Sequence, residues 1–87
     1  MQKNLFSKKE YNGENELLLE MIKLDQGYKS DYWCTFYQAR ENGFKVKKGS
    51  KSVPLKRVVH FEDNKNKKTK SALNYFRVFN EDCLEEV

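Results

Sequence analysis

Few residues in this sequence could carry out chemistry, and they do not assemble into a known constellation. His60 is the sole histidine, Cys34 and Cys83 are the two cysteines, and Glu81, Asp82, Glu85 and Glu86 cluster near the C-terminal end. A histidine acting as general base needs an orienting or nucleophilic partner; His60, flanked by Val59 and Phe61, reads instead as a structural or exposed strand residue. Two cysteines and one histidine lack the Cys-x-x-Cys or His-rich spacing of a tetrahedral zinc site, and there is no His-Glu-x-x-His. The acidic cluster has the oxygen ligands that a hard divalent cation takes, but solvated tail charges are the commoner outcome. Lys47-Lys48-Gly49-Ser50-Lys51 looks superficially like a phosphate loop, yet it lacks the first glycine and the Gly-Lys-Ser/Thr order. The expectation is a chain that is not itself an enzyme and takes no metal or cofactor.

Two segments carry more information because they interleave rings with charges. They run from Tyr28 through Tyr32, Trp33 and Phe36 to Tyr37, and from Phe44 through Lys45, Lys47 and Lys48 to Lys51. Unpaired bases stack on aromatic side chains for about 1–3 kcal/mol per base, while Lys and Arg follow the phosphates without reading sequence. On this reading Lys45, Lys47, Lys48 and Lys51 meet phosphates, Tyr32, Trp33 and Tyr37 lie near bases, and Lys56, Arg57 and Tyr75 extend the nucleic-acid-binding surface. Trp33, Phe36, Phe44, Phe76 and Phe79 are also the ring types that fill cores, so Tyr32, Tyr37 and Tyr75 are the better candidates for exposed platforms.

Charge distribution supports the same surface. The chain carries a net charge of +4, but Lys45 to Lys70 alone holds nine Lys and one Arg against Glu62 and Asp63. A basic middle between a near-neutral start and an acidic end is the electrostatic footprint expected for a polyanion, although a solvated lysine-rich surface has the same composition. Aromatics at 14% argue for a folded domain despite 34% charged residues. The apolar stretch Leu17 to Leu24 is interrupted by Glu20 and Lys23 and is too short to cross a bilayer. With no secretory signal and no cysteine framework, a cytoplasmic protein with free thiols is expected.

The elements that must position these residues follow from periodicity. With 87 residues the chain is one small domain, expected as an arm over 1–13, a folded core over 14–80 and a fraying acidic tail over 81–87. Leu17, Leu18, Met21, Ile22 and Leu24 recur at helical spacing and predict a helix from Glu14 to Gln26, stopped by Gly27. Thr35-Phe36-Tyr37-Gln38 has the form of a capping box and predicts a second helix from about Phe36 to Asn42, closed by Gly43. Strands are predicted at Phe44 to Val46, Val53 to Phe61 and Leu73 to Phe79, the last two forming an antiparallel hairpin around a mobile loop from Asp63 to Ser71. Asn80 can cap a last short turn. The fold class is therefore α+β, two helices with an antiparallel sheet packed by the Leu17 to Leu24 helix.

The order of motifs resembles the N-terminal domain of ArdC-like antirestriction proteins. The resemblance spans Tyr11-Asn12-Gly13-Glu14-Asn15 with Leu17-Leu18-Leu19, then Gly27-Tyr28, then Trp33-Cys34-Thr35-Phe36 with Gln38-Ala39. Gly43, Val46-Lys47-Lys48-Gly49-Ser50-Lys51 and Phe76-Arg77-Val78-Phe79-Asn80 complete it. It departs at Lys8, where that family tends to have glycine. The resemblance implies a domain that binds single-stranded DNA, normally joined to a C-terminal zinc metalloprotease-like domain outside these residues, in the antirestriction or anti-defence role of a plasmid or phage. The rival is a different class, a protein-binding inhibitor whose partner is a host defence nuclease.

Overall fold

The computed structural model describes residues 1–63 and 68–87. In chain order these form β1 (Lys3–Asn4), α1 (Gly13–Gln26), β2 (Tyr32–Thr35), α2 (Phe36–Glu41), β3 (Phe44–Val46), β4 (Val53–Asp63), β5 (Lys68–Asn80), a 3-10 turn (Glu81–Cys83) and β6 (Leu84–Glu86). The main sheet has the order β1-β2-β5-β4, and β3 pairs with β6 in a second, two-stranded sheet. All neighbours are antiparallel except β1 and β2, which run parallel. The fold class is α+β, as the sequence indicates.

Both helices obey their local signals. Gly27 ends α1 at φ 71°, and its N–H donates to the last-turn carbonyls of α1, the left-handed geometry that glycine adopts without a Cβ penalty. A Cβ on Gly27 would meet nothing within 4 Å, so Gly27→Ala is expected to cost about 1 kcal/mol through backbone strain alone; thermal denaturation followed by circular dichroism checks this. Thr35 opens α2 with the complete capping box: its hydroxyl accepts from the Gln38 N–H at 3.1 Å, and Gln38 Oε1 accepts from the Thr35 N–H at 3.1 Å. Asn80 caps the 3-10 turn through the Asp82 N–H at 2.8 Å.

The face that α1 presents to the sheet differs from the expected one. Leu19 is fully buried, with Leu18 and Ile22 partly buried beside it, while Leu17, Met21 and Leu24 are 59%, 59% and 81% exposed. The phase is fixed at the start of the helix. Asn15 Nδ2 donates to the Lys56 carbonyl at 2.8 Å, and Asn15 Oδ1 accepts from the Lys56 N–H at 3.2 Å. With Asn15 against β4, the same side of α1 carries 18, 19 and 22 three, four and seven residues on. These side chains pack with Trp33, Val53, Leu55 and Val78 to make the core.

The two ends of the chain also differ from expectation. The arm is built in: β1 joins β2 with Lys3 opposite Tyr32 and Asn4 opposite Trp33, and Gln2 and Asn4 are buried at 1% and 9% exposure. A buried amide must be paired, and both are. The acidic tail forms β6, with Phe44, Lys45 and Val46 opposite Glu86, Glu85 and Leu84. The hairpin is longer than predicted, because the pairing of β4 with β5 continues through Glu62 opposite Thr69 and Asp63 opposite Lys68. The middle of the expected mobile loop, 64–67, lies outside the described residues.

Candidate nucleic-acid interface

Alternation along the hairpin sorts its side chains into two faces. Directly paired residues in an antiparallel ladder point the same way. Val53 opposite Val78 and Leu55 opposite Phe76 therefore mark the core face, while Pro54 with Arg77, Lys56 with Tyr75, Val58 with Leu73 and His60 with Ser71 mark the other. Every residue of that second set is exposed. The ring of Tyr75 is 69% exposed, with Lys56 across the ladder and Arg77 two residues along the same face. Arg77 Nη1 donates to Ser52 Oγ at 3.2 Å, which leaves the rest of its planar fork of donors available. Lys56 Nζ lies 2.6 Å from a Glu14 carboxylate oxygen. That contact holds the Lys56 ammonium above its ordinary value and Glu14 below its own.

Arg57 falls on the opposite face, its guanidinium carbon 5.6 Å from the centroid of the Phe76 ring. It shares the ladder with Lys56 and Tyr75 but not their surface. Arg77, which sequence reasoning passed over, completes the open face, and the i, i+2 spacing of Tyr75 and Arg77 within a strand was the available signal.

The lysines of β3 and the following turn divide into two groups. Lys45 pairs with Glu85 at 3.6 Å. Lys47 is tied to the acidic tail twice, its Nζ donating to the Asp82 carbonyl at 3.1 Å and its backbone N–H to the Cys83 carbonyl at 2.7 Å. Lys48 and Lys51 flank the Gly49 turn, are exposed, and have no ion pair among the described residues.

The aromatic candidates separate more sharply. Tyr37 stands 70% exposed on α2. Tyr32 is half-buried, with Lys8 Nζ 4.6 Å from its ring centroid. Trp33 corrects the sequence-based assignment: it is 0% exposed and cannot offer a face to a base. Its Nε1 donates to Gln2 Oε1 at 2.6 Å, and its ring meets Tyr28 edge-on at 5.9 Å. Alternation along β2 then sets Tyr32 and Cys34 on the face opposite Trp33.

Lys8 adopts φ 62°, the one positive φ outside glycine among the described residues. That conformation costs an L-residue about 1–2 kcal/mol, a penalty that glycine would escape. The contact of Lys8 with Tyr32 offsets about 0.5–1 kcal/mol of it.

Both cysteines are free and buried. Burial, with a smaller contribution from Glu81, pushes the Cys34 thiol up to about 11, so it stays protonated and unreactive at neutral pH. Cys83 Sγ donates to Tyr28 Oη at 3.3 Å. His60 lies exposed in the hairpin opposite Ser71. Among the described residues no three His, Cys, Asp or Glu side chains are grouped to hold a metal ion, and no helix is long and apolar enough to cross a membrane.

The fold and this surface define a small α+β domain with an open, basic and aromatic sheet face. The chain belongs to the family of the N-terminal domain of anti-restriction factor ArdC, whose sequence model matches residues 1–81. Among solved structures it is similar to the antirestriction protein ArdC from the R388 plasmid. The metal-free crystal structure of that protein matches at a TM-score of 0.79 and 31% identity over 99% of this chain. Its Mn(II)-bound crystal structure matches at 0.84 and 30% identity over 100% of this chain. The chain spans about a third of those proteins' length, covering 33% and 35% of them. No curated protein matches.

Proposed function

We propose that this domain binds single-stranded DNA without reading its sequence, and that in doing so it serves an antirestriction role for a mobile element. The observation that carries the reading is the exposed face of the hairpin, where the Tyr75 ring and Arg77 lie together, with Lys56 across the ladder held by Glu14. An exposed ring beside an available cation matches the repeat of a single strand, whose bases stack while its phosphates are neutralised. Lys48 and Lys51 extend the phosphate track. Lys45, Lys47 and Lys56 contribute less, because Glu85, the Asp82 carbonyl and Glu14 already engage their ammonium groups.

Fluorescence anisotropy with labelled single-stranded and duplex oligonucleotides at several salt concentrations tests this. Single strands should bind more tightly than duplex. Tyr75→Ala should cost about 1–3 kcal/mol with little change in salt dependence, since stacking releases few counterions. Arg77→Ala and Lys51→Ala should each shallow the logarithmic salt slope by about 0.7, whereas Lys45→Ala should leave it nearly unchanged. A folded Tyr75→Ala, Arg77→Ala double variant that binds single strands with wild-type affinity and slope would remove this face as the footprint. The rival reading, inhibition of a host defence nuclease through protein contact, would then take its place.

A further inference from the structure

The outer edge of β4 has a property that DNA binding on the hairpin face does not use. β4 is the terminal strand of its sheet, and the backbone groups of its even-numbered residues point away from β5, as the bonds between Lys56 and Asn15 show. At Lys56 that edge is closed by α1. At Val58, His60 and Glu62 the outward N–H and C=O groups meet no partner among the described residues. Such an edge templates another strand unless it is blunted, and the usual devices, Pro54 and the covering helix, end before Val58.

The sequence of this edge is complementary to itself. It reads Lys56-Arg57-Val58-Val59-His60-Phe61-Glu62-Asp63, basic at one end, acidic at the other and mostly apolar between. Antiparallel pairing with an identical strand sets each basic end against an acidic end, whereas parallel pairing sets like against like. We propose that the protein forms a two-fold dimer by pairing β4 with β4 of a second copy, centred on His60.

The bracket of Asn15 on Lys56 fixes that register. With Lys56 closed, the outward positions available are Val58, His60 and Glu62, and centring on His60 uses all of them: Val58 opposite Glu62, His60 opposite His60. Centring on Val58 calls on the closed Lys56, and centring on Glu62 sets two carboxylates against each other. In the chosen register the backbone of Arg57 stands opposite Asp63 and Val59 opposite Phe61. Val58 and Phe61, 56% and 48% exposed, both gain cover. A recess of about 340 Å³ between the start of α1 and the hairpin, lined by Asn12, Glu14, Lys56, Arg57 and Val58 among others, borders this edge, and its Glu14 is already paired with Lys56. The dimer uses the edge and leaves the Tyr75 face open, so it stands or falls independently of DNA binding.

Sedimentation velocity over a range of concentrations should show a monomer–dimer equilibrium. His60→Pro removes an outward N–H without touching the ladder to β5, a substitution an edge strand tolerates, and should weaken the dimer at least about tenfold while circular dichroism is unchanged. Register is read by cross-linking, on a clean background because Cys34 and Cys83 are 0% and 5% exposed. His60→Cys places two Cα atoms about 5.5 Å apart across the two-fold axis, within disulfide reach, and should oxidise to a covalent dimer. Ser71→Cys sits on the same face one strand inward; its two copies are three strand spacings apart, about 14 Å, and should not cross-link. A monomer at every concentration up to the solubility limit would overturn the proposal, as would Ser71→Cys cross-linking as readily as His60→Cys.

Discussion

Trp33→Ala is expected to lose about 3–5 kcal/mol of folding stability, the cost of deleting a fully buried indole from a core that closes only partly over the gap. For a chain of 87 residues that is a large share of a total of about 4–13 kcal/mol. The loss has two sources. Leu19, Val53, Leu55 and Val78 lose their central partner, and Gln2 Oε1 loses the indole donor it binds in the interior. Trp33→Phe separates them: it keeps most of the packing and removes the donor, and should cost about 1–3 kcal/mol. Urea denaturation followed by far-ultraviolet circular dichroism measures both. Tyr37→Ala, at an exposed ring, should stay within about 0.5 kcal/mol of wild type. If Trp33→Ala unfolded at the wild-type midpoint, the indole would not be the centre of the core.

Asn4→Ala should be nearly as damaging, at about 3 kcal/mol, although it removes only a small polar side chain from the second position of β1. Asn4 Nδ2 donates to Tyr11 Oη at 3.1 Å and to Gln38 Oε1 at 3.0 Å, and its Oδ1 accepts from the N–H groups of Phe6 and Ser7, each at 3.0 Å. One amide thus ties the N-terminal turn to Tyr11, in the segment leading into α1, and to the capping box of α2. Removing it leaves several part-buried groups unpaired at once. Titration gives a second readout. Burial already raises the Tyr11 phenol above its ordinary value, and the hydrogen bond from Asn4 works against that rise by stabilising the phenolate. In the Asn4→Ala variant the Tyr11 midpoint should therefore move higher still, as followed by ultraviolet absorbance. An unchanged Tyr11 titration would show that the Asn4 amide does not reach it in solution.

What the sequence made legible was local. The capping box at Thr35, the glycine stop at Gly27 and the alternation in β4 and β5 are each determined by neighbours a few residues away, and each reads correctly. What it hid depends on distant partners. β1 and β6 are too short to declare themselves, since Lys3–Asn4 and Leu84–Glu86 become strands only by lying against β2 and β3. β2 is hidden for another reason. Tyr32-Trp33-Cys34-Thr35 is β-prone, but its mixture of rings and polar groups looks equally like a binding loop. That same ambiguity placed Trp33 in the candidate site. The rotation of α1, with Leu18 and Ile22 inward and Leu17 and Met21 outward, was invisible because two overlapping apolar stripes lie on one helix and a single tertiary contact from Asn15 chooses between them.

The acidic tail altered the candidate site most. Read along the chain, Lys45 and Lys47 belong to a continuous basic run; in the fold their ammonium groups turn to residues far downstream, Lys45 to Glu85 and Lys47 to the Asp82 carbonyl. Charge counted in sequence windows cannot register such pairing, and the candidate footprint moves accordingly to the hairpin face.

The position of β5 in the sheet governs when the domain can assemble. The hairpin of β4 and β5 joins sequence neighbours, a pairing that closes quickly and needs nothing else. Every other part of the main sheet waits for it: β2 has no antiparallel partner until Val78, Phe79 and Asn80 exist to meet Thr35, Cys34 and Trp33, and β1 rests on β2. On the ribosome the first half of the chain therefore emerges with Trp33 and Leu19 uncovered, and stays so until nearly the last residue of β5 has left the exit tunnel. Closure of the core therefore waits on the last residues of β5, and a chain truncated before Val78 would keep its basic ribbon but never close its core.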